Sequence, residues 1–457
     1  MPRRVLFIAL AFPPHNSSGT FRSTKFAKYL GAFGWEPIVV TLDWARVLAP
    51  RERDETLLAD LPPGLPIYRL APFNPVHACG QRLRRLFSAS RPAIEREPVT
   101  YSEPMREDVP RSWGYRALRA LYHFSLAPVG DEHFYWIWRA LPTCVRIARR
   151  HDVEAILVSV SPWTSALLGV LLKRWLDRPL IVDFRDYWTL WPVKERRLVR
   201  DRFDAWAERW ILRSADRLIC VHEAMAEDFA RLAPEAAARC VVIPNGYDAD
   251  DFRAIARESG ARHPPTTLVH TGMVWGDAAA SFLEAIAWLK EQSPAPPPWR
   301  VRFVGGLPPS NLRFIREQAL QDVVQVEPRT THREALAAMV AADVLLLLLT
   351  SQEGGKKWYP GKLFEYMAAG RPVLAVAPPG LAATLIEEAG IGVSVDHREQ
   401  ERVRALLRRA ALDPEGFARQ FYHPQAAVIR RYERRALTRR LAETLEDVVE
   451  RHRARSR

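Results

Sequence analysis

Cysteine is scarce in this 457-residue chain: Cys79, Cys144, Cys220 and Cys240 stand far apart, with no C-x-x-C pair among them. The pattern weighs against a disulfide framework or a zinc site, and no metal is expected. Long apolar runs are missing too. Those that occur, such as Val344–Leu349, are strand-sized and fall far short of the roughly 20 residues a membrane span requires. The start, Met-Pro-Arg-Arg followed by Val5–Leu10, is too short for a secretory leader and has no small-residue cleavage site behind it. A cytoplasmic location is therefore expected. There is no internal repeat and no low-complexity tract. With 48% hydrophobic and 26% charged residues, the composition is that of a globular protein of about three domains, or of two larger ones with appendages.

Lys plus Arg number 66 against 53 for Asp plus Glu, a formal charge of +13. Such an excess suits polyanionic partners: nucleic acid, anionic lipid headgroups or phosphorylated small molecules. Because it is mostly arginine, a GC-rich genome would account for it equally well. The basic residues are dispersed and form no recognisable nucleic-acid module, so no nucleic-acid partner is expected.

Short runs rich in Val, Ile and Leu recur between longer amphipathic stretches: Val5–Leu10, Pro37–Thr41, Ala155–Ser159, Pro179–Asp183, Arg217–Val221 and Val241–Ile243. Continuous apolar strands separated by helices predict a parallel sheet covered on both faces. Turn and breaker residues interrupt the pattern at Ser259–Pro265, which reads as the domain boundary. It then restarts with Thr267–Thr271, Trp299–Val304, Val323–Val326, Asp343–Leu349, Pro372–Val376 and Gly392–Val395. The fold class is thus α/β, two Rossmann-like doubly wound parallel-sheet domains facing a cleft, at 1–258 and 266–425. Helical, arginine-rich sequence follows, with Leu437, Leu441, Leu445 and Val448 on one face; 426–457 is expected to return to the first domain. The stretch 45–141, with Pro62-Pro63, Pro98, Pro110, Trp113, Tyr122, Phe124, Phe134, Tyr135, Trp136 and Trp138, reads as an insertion with short helices.

In open α/β sheets ligands sit beyond the carboxyl ends of strands, so the loops there carry the candidate chemistry. The first, Ala11–Arg22, places Gly19 and Thr20 at a helix start, where backbone N–H groups favour a phosphate. It lacks both G-x-G-x-x-G and G-x-x-x-x-G-K, which disfavours a nicotinamide enzyme or a P-loop nucleotidase. A capped strand-to-helix turn is the alternative reading of this loop taken alone. Asp183, Arg185 and Asp186 end another strand and line the cleft, or else form a structural salt-bridge cluster. His222-Glu223 reads as a solvated pair, and Asn245-Gly246 as a turn with positive φ. The most informative segment runs from Glu353 to Leu374. A loop with Gly354, Gly355, Lys356 and Lys357 leads into a short helix carrying Lys362 and Glu365 and stopping at Gly370. Lysines at a helix start suit a diphosphate, and a carboxylate one turn inside suits the vicinal hydroxyls of a ribose.

In order along the chain stand Pro13-Pro14, Gly19, Arg22 and Gly34; Ala215-Asp216; Pro244-Asn245-Gly246; Thr271-Gly272; Val304-Gly305-Gly306; Ala342-Asp343; and Phe364-Glu365-Tyr-Met-Ala-Ala-Gly370-Arg-Pro-Val. This series resembles a retaining nucleotide-sugar glycosyltransferase of GT-B architecture, in the large family four, over nearly the whole chain. The departures are specific. The family's E-x(7)-E motif places a glutamate, which touches the donor sugar, where this chain has Lys357; Glu353 is the residue available to stand in. The Arg and Lys that follow the first strand of the second domain are absent from Gly272–Asp277, which leaves Lys356, Lys357 and Lys362 to supply that charge. Where many members carry His-Asp, this chain has Arg185-Asp186.

The resemblance implies transfer of a sugar from a UDP-, GDP- or ADP-sugar with retention of configuration and no required cofactor. It implies catalytic roles for Arg185, Asp186 and Glu365, diphosphate binding by Gly19, Thr20, Lys356, Lys357 and Lys362, nucleoside binding by Gly305, Pro328, Arg329 and Glu365, and sugar binding by Glu353, Gly354 and Gly355. The acceptor is expected to be a glycan, as a lipid-linked or cell-surface or exopolysaccharide precursor. The Arg- and Trp-rich insertion suits an anionic membrane surface, and hence a peripheral place at the inner face of the cell membrane. A sugar-nucleotide epimerase of similar build is the alternative enzyme, and a non-catalytic partner subunit the alternative outside enzymes.

Overall fold

The computed structural model describes residues 2–49, 53–75, 129–190, 198–256, 265–293, 296–351 and 355–455. Glu353, Gly354, Cys79 and most of the 45–141 stretch, including Trp113, Tyr122 and Phe124, lie outside them. The chain divides into two compact units, one of residues 1–244 with 438–457 and one of residues 245–437.

Unit 1 runs β1 (Arg3–Ala9), α1 (Ser18–Tyr29), β2 (Trp35–Leu42), β3 (Ile67–Leu70), α2 (Ile137–Arg150), β4 (Ala155–Val160), α3 (Thr164–Leu176), β5 (Leu180–Phe184), α4 (Leu198–Ser214), β6 (Arg217–Cys220), α5 (Glu223–Leu232) and β7 (Cys240–Val242). Its seven strands are all parallel, in the order β3-β2-β1-β4-β5-β6-β7. The central strands are apolar throughout because helices cover both faces; every residue from Val5 to Leu10 is buried. The 45–141 stretch contains a strand that its sequence does not announce. β3 pairs with β2 from Val39↔Ile67 to Leu42↔Leu70. It is an edge strand, only partly buried, so its residues lack the apolar continuity of the interior strands.

Unit 2 begins at Asn245 and runs α6 (Ala249–Ala256), β8 (Thr266–Thr271), α7 (Ala280–Glu291), β9 (Trp299–Val304), α8 (Pro309–Glu317), β10 (Val324–Glu327), α9 (His332–Ala341), β11 (Val344–Leu348), α10 (Gly361–Ala369), β12 (Val373–Val376), α11 (Leu381–Glu388), β13 (Gly392–Val395), α12 (Gln400–Leu412), α13 (Pro414–Phe421), α14 (Ala426–Arg430) and α15 (Arg434–Arg455). Its parallel sheet has the order β10-β9-β8-β11-β12-β13. The sequence puts the boundary at 259–265, whereas the division falls after Pro244. The reason is α6: Phe252 and Ile255 bury in the same cluster as Leu336, Met339 and Phe364, which ties this helix to unit 2. Gly246 does not adopt the positive φ expected of an Asn-Gly turn. A Cβ there would lie 2.0 Å from the Tyr432 carbonyl oxygen, so close approach is what requires glycine. From Thr438 the chain is back in unit 1, where Leu441, Leu445, Val448 and Val449 of α15 are buried.

Each sheet reverses its winding once, between β1 and β4 in unit 1 and between β8 and β11 in unit 2. The loops beyond those two switch points are where such sheets bind ligands.

Candidate functional site

In unit 1 the switch-point loops are organised by one buried ion pair. Arg22, on the inner side of α1, forks onto Asp183 at the end of β5, Nε to Oδ2 at 2.9 Å and Nη2 to Oδ1 at 2.7 Å. Ser159 Oγ also donates to this carboxylate at 3.1 Å, and Arg22 donates onward to the Ile243 and Pro244 carbonyls at 2.9 and 2.7 Å. The carboxylate of Asp183 is therefore occupied by Arg22. It makes no hydrogen bond or close ion pair with Arg185, although its charge favours that guanidinium.

Arg185 is itself 8% exposed and lies against the first turn of α1. Its Nη2 donates to the Ser161 carbonyl at the end of β4, while Nε is buried with no hydrogen-bond partner. Gly19 permits this contact, since a Cβ there would fall 1.4 Å from Arg185 Nη1. The guanidinium thus sits beside a helix amino terminus, two positive features in one place, which is an arrangement that favours an anion. Burial weakens the protonated form of Arg185 and, at the neighbouring Asp186, pushes the carboxyl above its ordinary range. Thr20 is buried, its hydroxyl 3.1 Å from that of Ser17. His222 is not the solvated residue its loop position suggests: it is buried and caps α5, its Nδ1 accepting from the Met225 N–H at 3.1 Å.

Unit 2 presents a buried relay beneath a double glycine turn. His270, in β8, donates through Nδ1 to the Leu346 carbonyl at 3.0 Å. That bond fixes the tautomer and leaves Nε2 to accept from Lys362 Nζ at 2.9 Å. Lys362 stands in the first turn of α10. Burial brings its ammonium down to about 7, with the Glu365 carboxylate acting in the opposite sense. Directly above, Gly272 has φ +78° and Gly305 φ +126°, and a Cβ on Gly305 would lie 2.8 Å from the Gly272 Cα. The ends of β8 and β9 therefore approach more closely than any side chain allows. We expect Gly305→Ala to cost about 2–4 kcal/mol, for strain and contact together; a urea midpoint indistinguishable from that of the unaltered protein would contradict this reading.

Three further sets of contacts steady the site. Tyr366 OH accepts from the Thr271 N–H and donates to the Leu346 carbonyl, both at 3.1 Å, which pins α10 to β8 and β11. Glu365 meets His332 Nε2 at 2.9 Å from the start of α9. Asp277 receives the hydroxyls of Thr350, at 2.6 Å, and of Ser351, joining the loops after β8 and β11.

Among the sequence-derived candidates, the structure brings Lys362 and Gly305 to the β8–β9 turn, with Glu365 one turn inside α10. Lys357 is exposed and Lys356 half-buried, with the Lys356 carbonyl accepting from the Leu381 N–H at 2.9 Å. Gly355 is buried against the Thr350 carbonyl. Pro328 and Arg329 are exposed just beyond β10. His270, His332, Tyr366 and Asp277 escape the sequence reading. Of these only His270 leaves a trace, as an imidazole inside an otherwise strand-like run.

Comparison with known proteins bears directly on this arrangement. Residues 99–251 match the family model of Glycosyltransferase Family 4, and residues 265–411 that of Glycosyl transferases group 1. A D-inositol 3-phosphate glycosyltransferase of Kineococcus radiotolerans is 26% identical over 299 residues, 58% of this chain and 66% of that protein, just under two thirds of the relative's length. Among solved structures, Anabaena HepE in complex with UDP superposes with a TM-score of 0.59 at 14% identity, covering 97% of this chain and 100% of that one. Sucrose-phosphate synthase of Thermosynechococcus elongatus gives 0.59 at 16% identity, over 97% and 98% of the two chains. At such identities the likeness is one of fold, the GT-B class of paired doubly wound sheets. The chain belongs to glycosyltransferase family four, the glycosyl transferases group 1.

Proposed function

We infer that the protein transfers a sugar from a nucleoside diphosphate sugar to a glycan acceptor, with retention of anomeric configuration. The observation that carries this reading is Lys362, held by His270 under the Gly272–Gly305 turn at the unit 2 switch point. A cation at a helix start, beneath backbone that only glycine can form, suits a diphosphate whose charge grows as the glycosidic bond breaks. Glu365, oriented by His332, accepts from the ribose hydroxyls, and Lys356 and Lys357 add charge at the rim. Gly305, Pro328 and Arg329 border the nucleoside, and Gly355 the sugar, together with Glu353 and Gly354. In unit 1, Gly19, Thr20, Arg185 and Asp186 serve the phosphate and acceptor side. The donor's own phosphate takes the acceptor proton, so no pair of catalytic carboxylates is needed.

A uridine donor is the first to test, since HepE has been solved with UDP-glucose as well as with UDP. The acceptor we infer is a lipid-linked or cell-surface or exopolysaccharide precursor, met at the inner face of the cell membrane. A melting screen with UDP-, GDP- and ADP-sugars tests the donor site, because a ligand bound only by the folded state raises the melting temperature. One nucleotide class is expected to raise it by several degrees at about 100 times its Kd, equivalent to about 2.7 kcal/mol. A flat response to all three would defeat the proposal. Release of nucleoside diphosphate only when an acceptor is supplied separates transfer from epimerisation.

A further inference from the structure

The outer face of unit 1 over α2, α3 and α4 has an unusual make-up. An open groove of about 600 Å³ runs along it, lined entirely by apolar side chains, among them Leu141, Leu171, Trp138, Trp175, Trp206 and Trp210. Three of these indoles stand out into solvent, Trp138 at 71%, Trp175 at 64% and Trp206 at 57% exposure, and Phe203 beside them is 46% exposed. Large aromatic rings in such a cluster are costly to leave in water, which marks the face as a contact surface.

The charge pattern says what kind. α2 and α3 contain no Asp or Glu at all. Of the three acids of α4, Asp204 and Glu208 are turned inward, Asp204 accepting from the Gly130 N–H at 2.9 Å and Glu208 from the Thr189 hydroxyl, and Asp201 is half-buried. The arginines point the other way. Arg146 and Arg149 continue the groove-lining stripe of α2 one turn beyond Pro142 and Val145; Arg174 adjoins Trp175; Arg202 and Arg209 lie one turn to either side of Trp206. All five are exposed, and among the described residues none has an ion pair. A protein partner would be matched by a mixed rim of both signs. A face with indoles at its centre, unpaired guanidiniums around them and its acids tucked beneath is complementary to an anionic headgroup layer, where indoles settle at the interface and each arginine gains from the surface potential.

We propose that the tryptophan-lined face of α2, α3 and α4 docks unit 1 on an anionic lipid surface, with the groove taking up acyl-chain or headgroup carbon. This deepens the reading of the acceptor as lipid-linked and rests on it for its purpose. Vesicle binding, however, is measured without nucleotide sugar, so the two stand or fall separately. Wild-type protein is expected to float with phosphatidylcholine vesicles containing phosphatidylglycerol and to bind pure phosphatidylcholine at least about tenfold more weakly. Trp138→Ser, Trp175→Ser and Trp206→Ser combined should lower partitioning onto the anionic vesicles about tenfold or more. Replacing Arg146, Arg174, Arg202 and Arg209 by glutamine should remove the preference for phosphatidylglycerol. Trp275→Ser, at an exposed tryptophan of unit 2, is the control and should bind as wild type does. All these positions are exposed, and an unchanged thermal melt verifies folding of each variant. Absence of wild-type binding to anionic vesicles overturns the proposal, as does wild-type-like binding by both groove variants. So does a dimer in solution that the tryptophan substitutions dissolve, since the groove would then be covered by a second copy of the chain.

Discussion

Lys362→Met is expected to weaken binding of the nucleotide sugar about ten- to hundredfold, the worth of one charge-assisted hydrogen bond to a phosphate. It should also abolish the pH dependence of that binding. With its ammonium brought down to about 7 by burial, Lys362 is only partly protonated at neutral pH in the free protein, and a diphosphate draws the proton back. Wild-type affinity should therefore hold below about pH 7 and fall by up to tenfold per unit above it, and the Met variant should lack this slope. The groups facing the ammonium are His270, which loses charge even more readily in the same burial, and Glu365, which favours it. Stability carries a matching signature. A lysine lowered from 10.5 to about 7 on folding leaves the unfolded chain holding more protons between those values, so its contribution to stability rises with pH across that window. Urea midpoints of wild type and Lys362→Met, compared at about pH 7 and pH 9, should converge as pH rises. Parallel curves, together with unaltered donor affinity, would dispose of this account.

Asp183→Asn is expected to be the most damaging single change in unit 1. It leaves Arg22 fully buried and charged with only carbonyl partners, a loss of about 3–5 kcal/mol against a total stability of about 5–15 kcal/mol for a typical domain. Arg22→Lys should be milder, since it keeps the charge and loses only the two-pronged geometry. Equilibrium denaturation of the two variants is the measurement; an Asn variant as stable as the Lys variant would show that the pair contributes position and little energy.

The two sheets were legible in the sequence because interior parallel strands are apolar along their length, as at Val344–Leu348 and Val373–Val376; Trp299–Val304, despite Arg300 and Arg302, and the edge strand Gly392–Val395 are observed with the ends their sequence suggests. β3 was not legible, since an edge strand is free to carry Tyr68 and Arg69. The attachment of α6 to unit 2 depends on where Phe252 and Ile255 find a cluster, which no local pattern encodes. At the sites, the Gly-Lys-Leu-Phe-Glu run announces a helix start with charge. The partner that holds Lys362 lies 92 residues earlier, at a distance no motif spans. Arg22 is visible in sequence as one position in a family series, and only the fold reveals it as the counter-charge of Asp183. The tryptophan face is legible as composition alone; its three helices come from separate stretches of the chain.

The return of α15 to unit 1 bears on how the molecule is made. Leu441, Leu445 and Val448 are buried there, and Asp447 and Arg453 bind Arg217 and Glu154, at 2.6 and 2.7 Å. Everything needed for unit 2 leaves the ribosome before these residues do. The half that is translated first is thus the last to be finished, and a nascent chain halted near residue 437 leaves Arg217 and Glu154, at the starts of β6 and β4, without these partners.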